Sequence, residues 1–92
     1  MGKYLIDFTQ AALNELQKHK KAGNKNTLNK LKILLEELEK HPYLGQGKPE
    51  ALKHQLSGYW SREINRKDRL VYKVLENNIV EVTSVMGHYS DR

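Results

Sequence analysis

The chain contains no cysteine in its 92 residues, which excludes disulfide bridges, a thiolate nucleophile and cysteine-based zinc sites. It has two prolines and no apolar run that approaches the roughly 20 residues of a membrane-spanning helix. The N-terminus also lacks the basic, apolar and small-residue order of a secretory signal. These absences predict a cytoplasmic protein with no membrane segment.

The residues that are present suit a soluble domain with a modest core. Hydrophobic residues make up 38% of the chain and charged residues 29%, which predicts a single globular domain over residues 1–92. Sixteen Lys and Arg against eleven Asp and Glu leave a net charge of +5. Such an excess attracts polyanions, and it would attract an acidic protein equally well. The charge therefore points to a nucleic acid or an acidic protein as partner.

The first half of the sequence predicts one strand and two helices. Tyr4–Phe8 is short and partly alternating, as in a strand. Thr9 is a suitable N-cap for a helix that runs to Ala22, and Gly23 is a suitable stop. A second helix over residues 26–40 carries a leucine stripe at helical spacing, formed by Leu28, Leu31, Leu34, Leu35 and Leu38. The stripe fits a helix packed on a sheet, and a coiled-coil dimer is the alternative.

The second half changes to a period of two, which is typical of strands. After a Gly- and Pro-containing loop at residues 43–50, the predicted strands are Lys53–Leu56, Tyr59–Asn65, Asp68–Leu75 and Ile79–Val85, with a hairpin turn at Asn77-Asn78. The order β-α-α-β-β-β-β predicts an α+β fold. We expect a twisted, mainly antiparallel sheet with the helix pair on one face and the other face open to solvent or ligand.

Basic and aromatic residues are interleaved in this strand region, where they include Lys48, Lys53, Arg62, Arg69 and Lys73 beside Tyr59, Trp60, Tyr72 and Tyr89. Alternation along the third of these strands places Arg69 and Lys73 on the predicted open face. Cations and aromatic rings together suit a single-stranded nucleic acid, which needs phosphate neutralisation and stacking surfaces. For Trp60 and Tyr72 the favoured alternative is that they are core residues.

Two titratable residues could supply acid–base chemistry. Glu50 lies in the Gly/Pro loop and His88 follows the last strand; the alternative for each is an ordinary surface residue. RNA is cut without a metal ion when a base deprotonates the 2′-hydroxyl, an acid protonates the leaving 5′-oxygen and cations hold the developing charge. The unperturbed pKa values of about 4.3 for Glu and about 6.5 for His suit these two roles. The four histidines are scattered and predict no metal site.

Four short segments together resemble a known family. They are G-Q-G-K-P-E-A-L-K-H at 45–54, L-S-G-Y-W-S-R at 56–62, D-R-L-V-Y at 68–72 and H-Y at 88–89. In combination they resemble the YoeB/Txe toxins of the RelE-like superfamily. The resemblance implies the toxin of a type II toxin–antitoxin system, a ribosome-dependent endoribonuclease that cuts mRNA in the ribosomal A site. It further implies that the reaction needs no metal or cofactor and that a YefM-type antitoxin inhibits the toxin. Relatives also suggest that the chain can form a homodimer.

The resemblance also implies a role for each matching residue. Three residues match catalytic positions: Glu50 as general base, His88 as general acid and Arg69 as the cation that stabilises the transition state. The other matching residues would bind RNA. Lys53 would hold phosphate, Tyr89 would position RNA, and Lys48 and Arg62 would contact RNA or the ribosome. Two alternatives remain on the same scaffold, namely a non-enzymatic ParE-like toxin directed at gyrase and a basic domain that binds RNA without cutting it. Glu50 and His88 discriminate, since neither alternative needs an acid–base pair.

Overall fold

The computed structural model describes residues 3–87, and its elements follow the predicted order. The helices are α1 (Gln10–Ala22) and α2 (Lys25–Leu38), and the strands are β1 (Leu5–Phe8), β2 (Glu50–Ala51), β3 (Trp60–Glu63), β4 (Arg69–Leu75) and β5 (Ile79–Ser84). The strands form one sheet in the order β1-β5-β4-β3-β2, in which β1 is parallel to β5 and all other neighbours are antiparallel. The predicted α+β class with a mainly antiparallel sheet is confirmed.

Local capping sets the ends of the two helices. The side chain of Thr9 accepts a hydrogen bond from the backbone N–H of Ala12 at 3.1 Å, as an N-cap should. Gly23 ends α1 in the left-handed conformation, with φ of 71°, and Asn24 caps α2 through the N–H of Thr27 at 3.0 Å. Neither helix in the described part of the chain has the length and apolar character needed to cross a bilayer.

The core lies between the helix pair and one face of the sheet. Its buried members are Ala12, Leu31, Leu34, Leu38, Ile64, Leu70, Tyr72, Val80, Val82 and Val85. Leu31, Leu34 and Leu38 of the α2 stripe therefore pack against the sheet, as the first of the two interpretations predicted, and Leu35 is partly buried beside them. Fully burying one such leucine contributes about 1.5–3 kcal/mol. The helix pair thus covers one face of the sheet and leaves the opposite face to the site.

The strand predicted at Lys53–Leu56 is wrong. The chain pairs with β3 earlier, at Glu50–Ala51, and His54–Leu56 forms a 3₁₀ turn instead. His54 has a φ of 56°, a left-handed conformation that cannot continue an extended ladder. The consequence for the site is that Glu50 belongs to the sheet, where it lies directly opposite Ser61.

The hairpin between β4 and β5 turns through Asn77 and Asn78, as predicted. Both have positive φ, 63° and 59°, a region that asparagine tolerates better than most residues. Beyond the hairpin, β5 runs antiparallel to β4, so the chain returns toward Arg69 at the start of β4. The last described residue, Gly87, lies there.

Candidate active site

Alternation along β4 separates core residues from residues of the opposite face. Leu70 and Tyr72 are fully buried members of the core. Arg69 and Lys73, one position removed, are half-buried and project from the other side of the sheet. The predicted placement of these two cations on the face away from the helices is confirmed. Val71 between them is 1% exposed, so the face predicted to be open to solvent is covered at its centre. It is open at its edge, where Glu50 is exposed, and that part is called the open face below.

Glu50 and Arg69 meet on this face across three strands. The Oε1 atom of Glu50 lies 3.8 Å from Nη2 of Arg69. The Glu50 side chain is 68% exposed, whereas that of Arg69 is 16% exposed. The separation is an ion-pair contact that is longer than a hydrogen bond, so the carboxylate is not locked onto the guanidinium. Two of the three predicted catalytic residues are thus brought together.

Ser61 on β3, the strand between β2 and β4, holds the guanidinium of Arg69. It lies opposite Glu50 on β2 and opposite Val71 on β4, and it is fully buried. Its Oγ accepts a hydrogen bond from Nε of Arg69 at 3.1 Å. Because this bond uses Nε, Nη2 of Arg69 remains available for its contact with Glu50. The sequence assigned no role to Ser61, because its hydroxyl meets Arg69 only when β3 and β4 are paired.

Gly87, the last described residue, is hydrogen-bonded to the start of β4. The backbone N–H of Arg69 donates to the carbonyl of Gly87 at 3.0 Å, and the N–H of Gly87 donates to Oδ1 of Asp68 at 3.0 Å. The residues that follow, His88 and Tyr89, were predicted as the general acid and an RNA-positioning residue. Both lie outside the described residues.

Two predicted RNA-binding lysines flank the short strand β2. Lys48 is exposed and has a φ of 52°, although the residue before a proline favours extended geometry. Such a conformation costs on the order of 1–3 kcal/mol in a non-glycine residue and is typical of functional loops. The loop is fastened to β3 because the carbonyl of Gly47 accepts the N–H of Glu63 at 2.6 Å. Lys53 is exposed at the other end of β2.

An aromatic ring and a cation are paired farther along the open face. The ammonium of Lys73 lies 5.1 Å from the ring centroid of Tyr59, within the range of a cation–π contact. Tyr59 directly precedes β3, and both residues are half-buried. The face therefore presents a ring and two cations, Arg69 and Lys73, beside the carboxylate of Glu50.

Comparison with known proteins identifies the family. The model of the YoeB-like toxin of bacterial type II toxin–antitoxin systems matches residues 8–89. The chain belongs to this family. Toxin YoeB of Escherichia coli strain K12 is 39% identical to it over 66 residues, which cover 72% of this chain and 77% of that protein.

Solved structures of YoeB proteins share its fold. The YoeB–YefM complex from Staphylococcus aureus is 37% identical with a TM-score of 0.77, over 94% of this chain and 98% of that one. A YoeB dimer from the same species is 34% identical with a TM-score of 0.78, over 95% and 99% of the two chains. These relatives thus include a toxin in a complex with YefM and a toxin whose structure is that of a dimer.

In this YoeB-like toxin, Arg62 is a structural residue, which corrects the prediction that it contacts RNA or the ribosome. Its side chain is fully buried and points into the helix-covered side of the sheet. Nε donates to the hydroxyl of Tyr72 at 3.1 Å, and Nη1 donates to Oε1 of Glu37 at 3.0 Å. The remaining donors bond the carbonyls of three loop residues, His41, Leu44 and Gln46, at 2.6, 2.8 and 3.4 Å. No part of the guanidinium is left for a ligand.

Burial decides between a core role and an RNA-stacking role for Tyr72 and Trp60. Tyr72 is a fully buried core residue whose hydroxyl donates to the carbonyl of Pro42 at 2.5 Å. Burial raises the pKa of this hydroxyl, and the hydrogen bond and positive charge of Arg62 oppose the rise. Trp60 is partly buried against the core and stacks at a tilt on Tyr43, with 5.1 Å between ring centroids. The core interpretation is therefore right for Tyr72 and right in part for Trp60.

Among the described residues 3–87, no group of three or more His, Cys, Asp and Glu side chains is arranged to hold a metal ion. The site of this family member is instead a carboxylate, a guanidinium and nearby ammonium groups on a sheet. In chemical terms such a set can accept a proton and neutralise a phosphate.

Proposed function

We propose that this type II toxin is an endoribonuclease that cuts mRNA on the ribosome by a metal-independent transesterification. The observation that carries the proposal is the pair formed by Glu50 and Arg69 on the open sheet face, 3.8 Å apart. The chain reaches Gly87 beside this pair, and His88 follows in sequence. A base, a cation and an acid are the three groups that the reaction needs.

Glu50 acts as the general base. Its carboxylate is 68% exposed, so a ribose 2′-hydroxyl can approach it. The carboxylate takes the hydroxyl proton while the 2′-oxygen forms a bond to the adjacent phosphorus. The bond from phosphorus to the 5′-oxygen breaks, and that oxygen takes a proton from His88. The products carry a 2′,3′-cyclic phosphate and a 5′-hydroxyl.

Arg69 stabilises the charge that develops on the phosphoryl oxygens. Arginine is permanently protonated and presents two parallel donors, which suits a phosphorane better than a lysine would. The bond from its Nε to Ser61 orients the planar group in advance of binding. A preorganised donor loses less free energy to reorganisation in the transition state.

The other matching residues bind the RNA. Lys53 and Lys48 lie exposed at the two ends of β2, where they can contact phosphates on either side of the scissile bond. Tyr89 supports the bound nucleotide next to the acid. The ring of Tyr59, held by Lys73 on the same face, adds a surface on which a base can stack.

Binding of a YefM-type antitoxin inhibits the toxin. An acidic segment that is disordered when free would be attracted by the net charge of +5 and would order over the Glu50–Arg69 face. The complex of the Staphylococcus aureus relative with YefM supports this partner, and the relative's dimer supports self-association as a second state.

Reconstituted translation with a defined mRNA tests the reaction. Glu50→Gln keeps the size of the side chain but removes the base, so we expect cleavage to slow by about 10²–10⁴-fold. Glu36→Gln is the matched control, because this exposed carboxylate lies on α2 on the other side of the sheet. The fragments should carry 5′-hydroxyl ends and 2′,3′-cyclic phosphates. The cleavage rate should be unchanged when the toxin is first treated with EDTA and then returned to magnesium-containing buffer.

Three results would contradict the proposal. Cleavage by Glu50→Gln at the wild-type rate would remove the base, and 5′-phosphate ends would identify water as the nucleophile. Absence of cleavage by the wild-type toxin, together with inhibition of gyrase, would favour the ParE-like alternative.

A further inference from the structure

The last described segment, residues 85–87, follows the end of β5 and is held mainly by side chains of other elements. β5 ends at Ser84, and the chain continues to Gly87 without a partner strand. Val85 within this segment is nevertheless fully buried. Buried backbone groups need hydrogen-bond partners, so its amide and carbonyl must be satisfied by something outside the sheet.

Two residues of α1 supply those partners. Oε1 of Glu15 accepts the N–H of Val85 at 2.8 Å and the hydroxyl of Ser84 at 3.0 Å. Nε2 of His19 lies 2.7 Å from the carbonyl oxygen of Val85. A carbonyl can only accept, so His19 carries its proton on Nε2 and donates. Glu15 and His19 are four residues apart and therefore share one face of α1.

A second anchor follows two residues later. The amide of Gly87 donates to Asp68 and its carbonyl accepts the amide of Arg69, both at 3.0 Å. The segment is thus fixed first to the helix and then to the residue that carries the catalytic guanidinium. His19 is 5% exposed and contacts the segment from the core side, so it is shielded from a substrate on the open face.

We infer that Glu15 and His19 are positioning residues: they fix residues 85–87, and so the point from which the chain continues to His88, relative to Arg69. The inference rests on the proposed function in that it takes His88 as the general acid. Neither residue touches the substrate. Their effect is geometric, because they restrict the segment that ends one residue before the acid, and a misplacement of about 1 Å can cost about 10²-fold in rate.

The test pairs a disabling substitution with a conservative one at the same position. His19→Leu removes the donor to Val85, whereas His19→Gln keeps an N–H that can reach the same carbonyl. We expect single-turnover cleavage of ribosome-bound mRNA to fall about 10–100-fold in His19→Leu and to recover in His19→Gln, with ribosome affinity unchanged. Glu15→Leu should likewise lose activity, and Glu15→Gln should recover it, since Gln retains an oxygen that can accept the N–H of Val85.

A control separates positioning from loss of stability. Leu38→Ala opens a cavity in the core without removing a bond to residues 85–87, and all rates are measured where every variant is folded. Hydrogen exchange of the Gly87 amide supplies a readout that does not depend on activity. It should accelerate in His19→Leu more than in a Leu38→Ala variant of equal stability.

A double-mutant cycle with His88→Gln separates failure of this inference from failure of the proposed function. If His19 acts through His88, its removal should cost little more once His88 is already Gln. Fully additive losses, or unchanged exchange of Gly87 in His19→Leu, would overturn the positioning role while leaving the acid in place. Full activity of His88→Gln alone would overturn the proposed acid, and Gly87 exchange would still report whether α1 holds the segment.

Discussion

Replacing Arg62 with methionine should destabilise the fold while leaving every proposed catalytic residue in the chain. Arg62 is fully buried, and its guanidinium connects β3 to Glu37 on α2 and to the loop that precedes the site. Methionine has a similar length and can fill much of the same volume. The substitution therefore removes the charge and the donors with little cavity.

The magnitude follows from what is left behind. Breaking a buried ion pair by removing one partner costs about 3–5 kcal/mol. Glu37 is 28% exposed and also accepts the N–H of Gln46 at 2.8 Å, so its own charge remains partly solvated. The larger loss comes from loop carbonyls that lose charged donors, at about 1–3 kcal/mol for each one that stays buried. We expect a total of about 3–5 kcal/mol, which lowers Tm by roughly 15–30 °C in a domain of this size.

Urea and thermal unfolding of purified toxin measure this change directly. Arg62→Lys should give a smaller but clear loss, because a single ammonium keeps the charge and not the planar fork of donors. Arg66→Met, at an exposed loop position, is the matched control and should stay within about 0.5 kcal/mol of wild type. An Arg62→Met protein within about 1 kcal/mol of wild type would refute the reasoning.

Three further substitutions address other parts of the fold. Burial raises the pKa of Tyr72 in the folded state, so above about pH 10 the tyrosine ionises first in the unfolded state and the free energy of unfolding falls. Tyr72→Phe should lack this alkaline loss of stability, which urea titrations at about pH 8 and about pH 11 measure. A Cβ added at Gly45 would collide with the carboxylate of Glu37, whereas one added at Gly58 would meet nothing within 4 Å. Gly45→Ala should therefore lower the free energy of unfolding by about 1–3 kcal/mol more than Gly58→Ala, and equal losses would contradict the clash. Asn24→Ala removes an N-cap and should cost about 1 kcal/mol in thermal melts, with no change expected if the side chain were not bonded to the helix.

Much of the fold was predictable because local rules agree with the tertiary structure. Thr9 and Gly23 mark the ends of α1 through chemistry that involves only neighbouring residues. Alternation in β4 assigned Arg69 to the face away from the helices, since strand geometry leaves two directions and the neighbouring residues are apolar. The short strand β2 was misplaced because its pairing depends on β3 and on the turn at His54.

The candidate site was predictable in part for a similar reason. Glu50 was recognised as unusual from its loop context, but its contact with Arg69 depends on the register of three strands. Ser61 has no signal in composition, and its role becomes visible only when its hydroxyl is seen to accept from Arg69. Contacts of this kind join residues 8 to 19 positions apart and do not follow from any local pattern.

The amino-acid sequence alone determined the order of elements, the apolar stripe of the helices and the charge that favours a polyanionic partner. Each of these depends on the identity and spacing of nearby residues. Only the tertiary structure decided that Arg62 is buried and that Glu15 and His19 hold Val85, which lies 70 and 66 residues away. A buried cation and a buried hydrogen bond are stable only when distant groups converge on them, and convergence is a property of the folded chain.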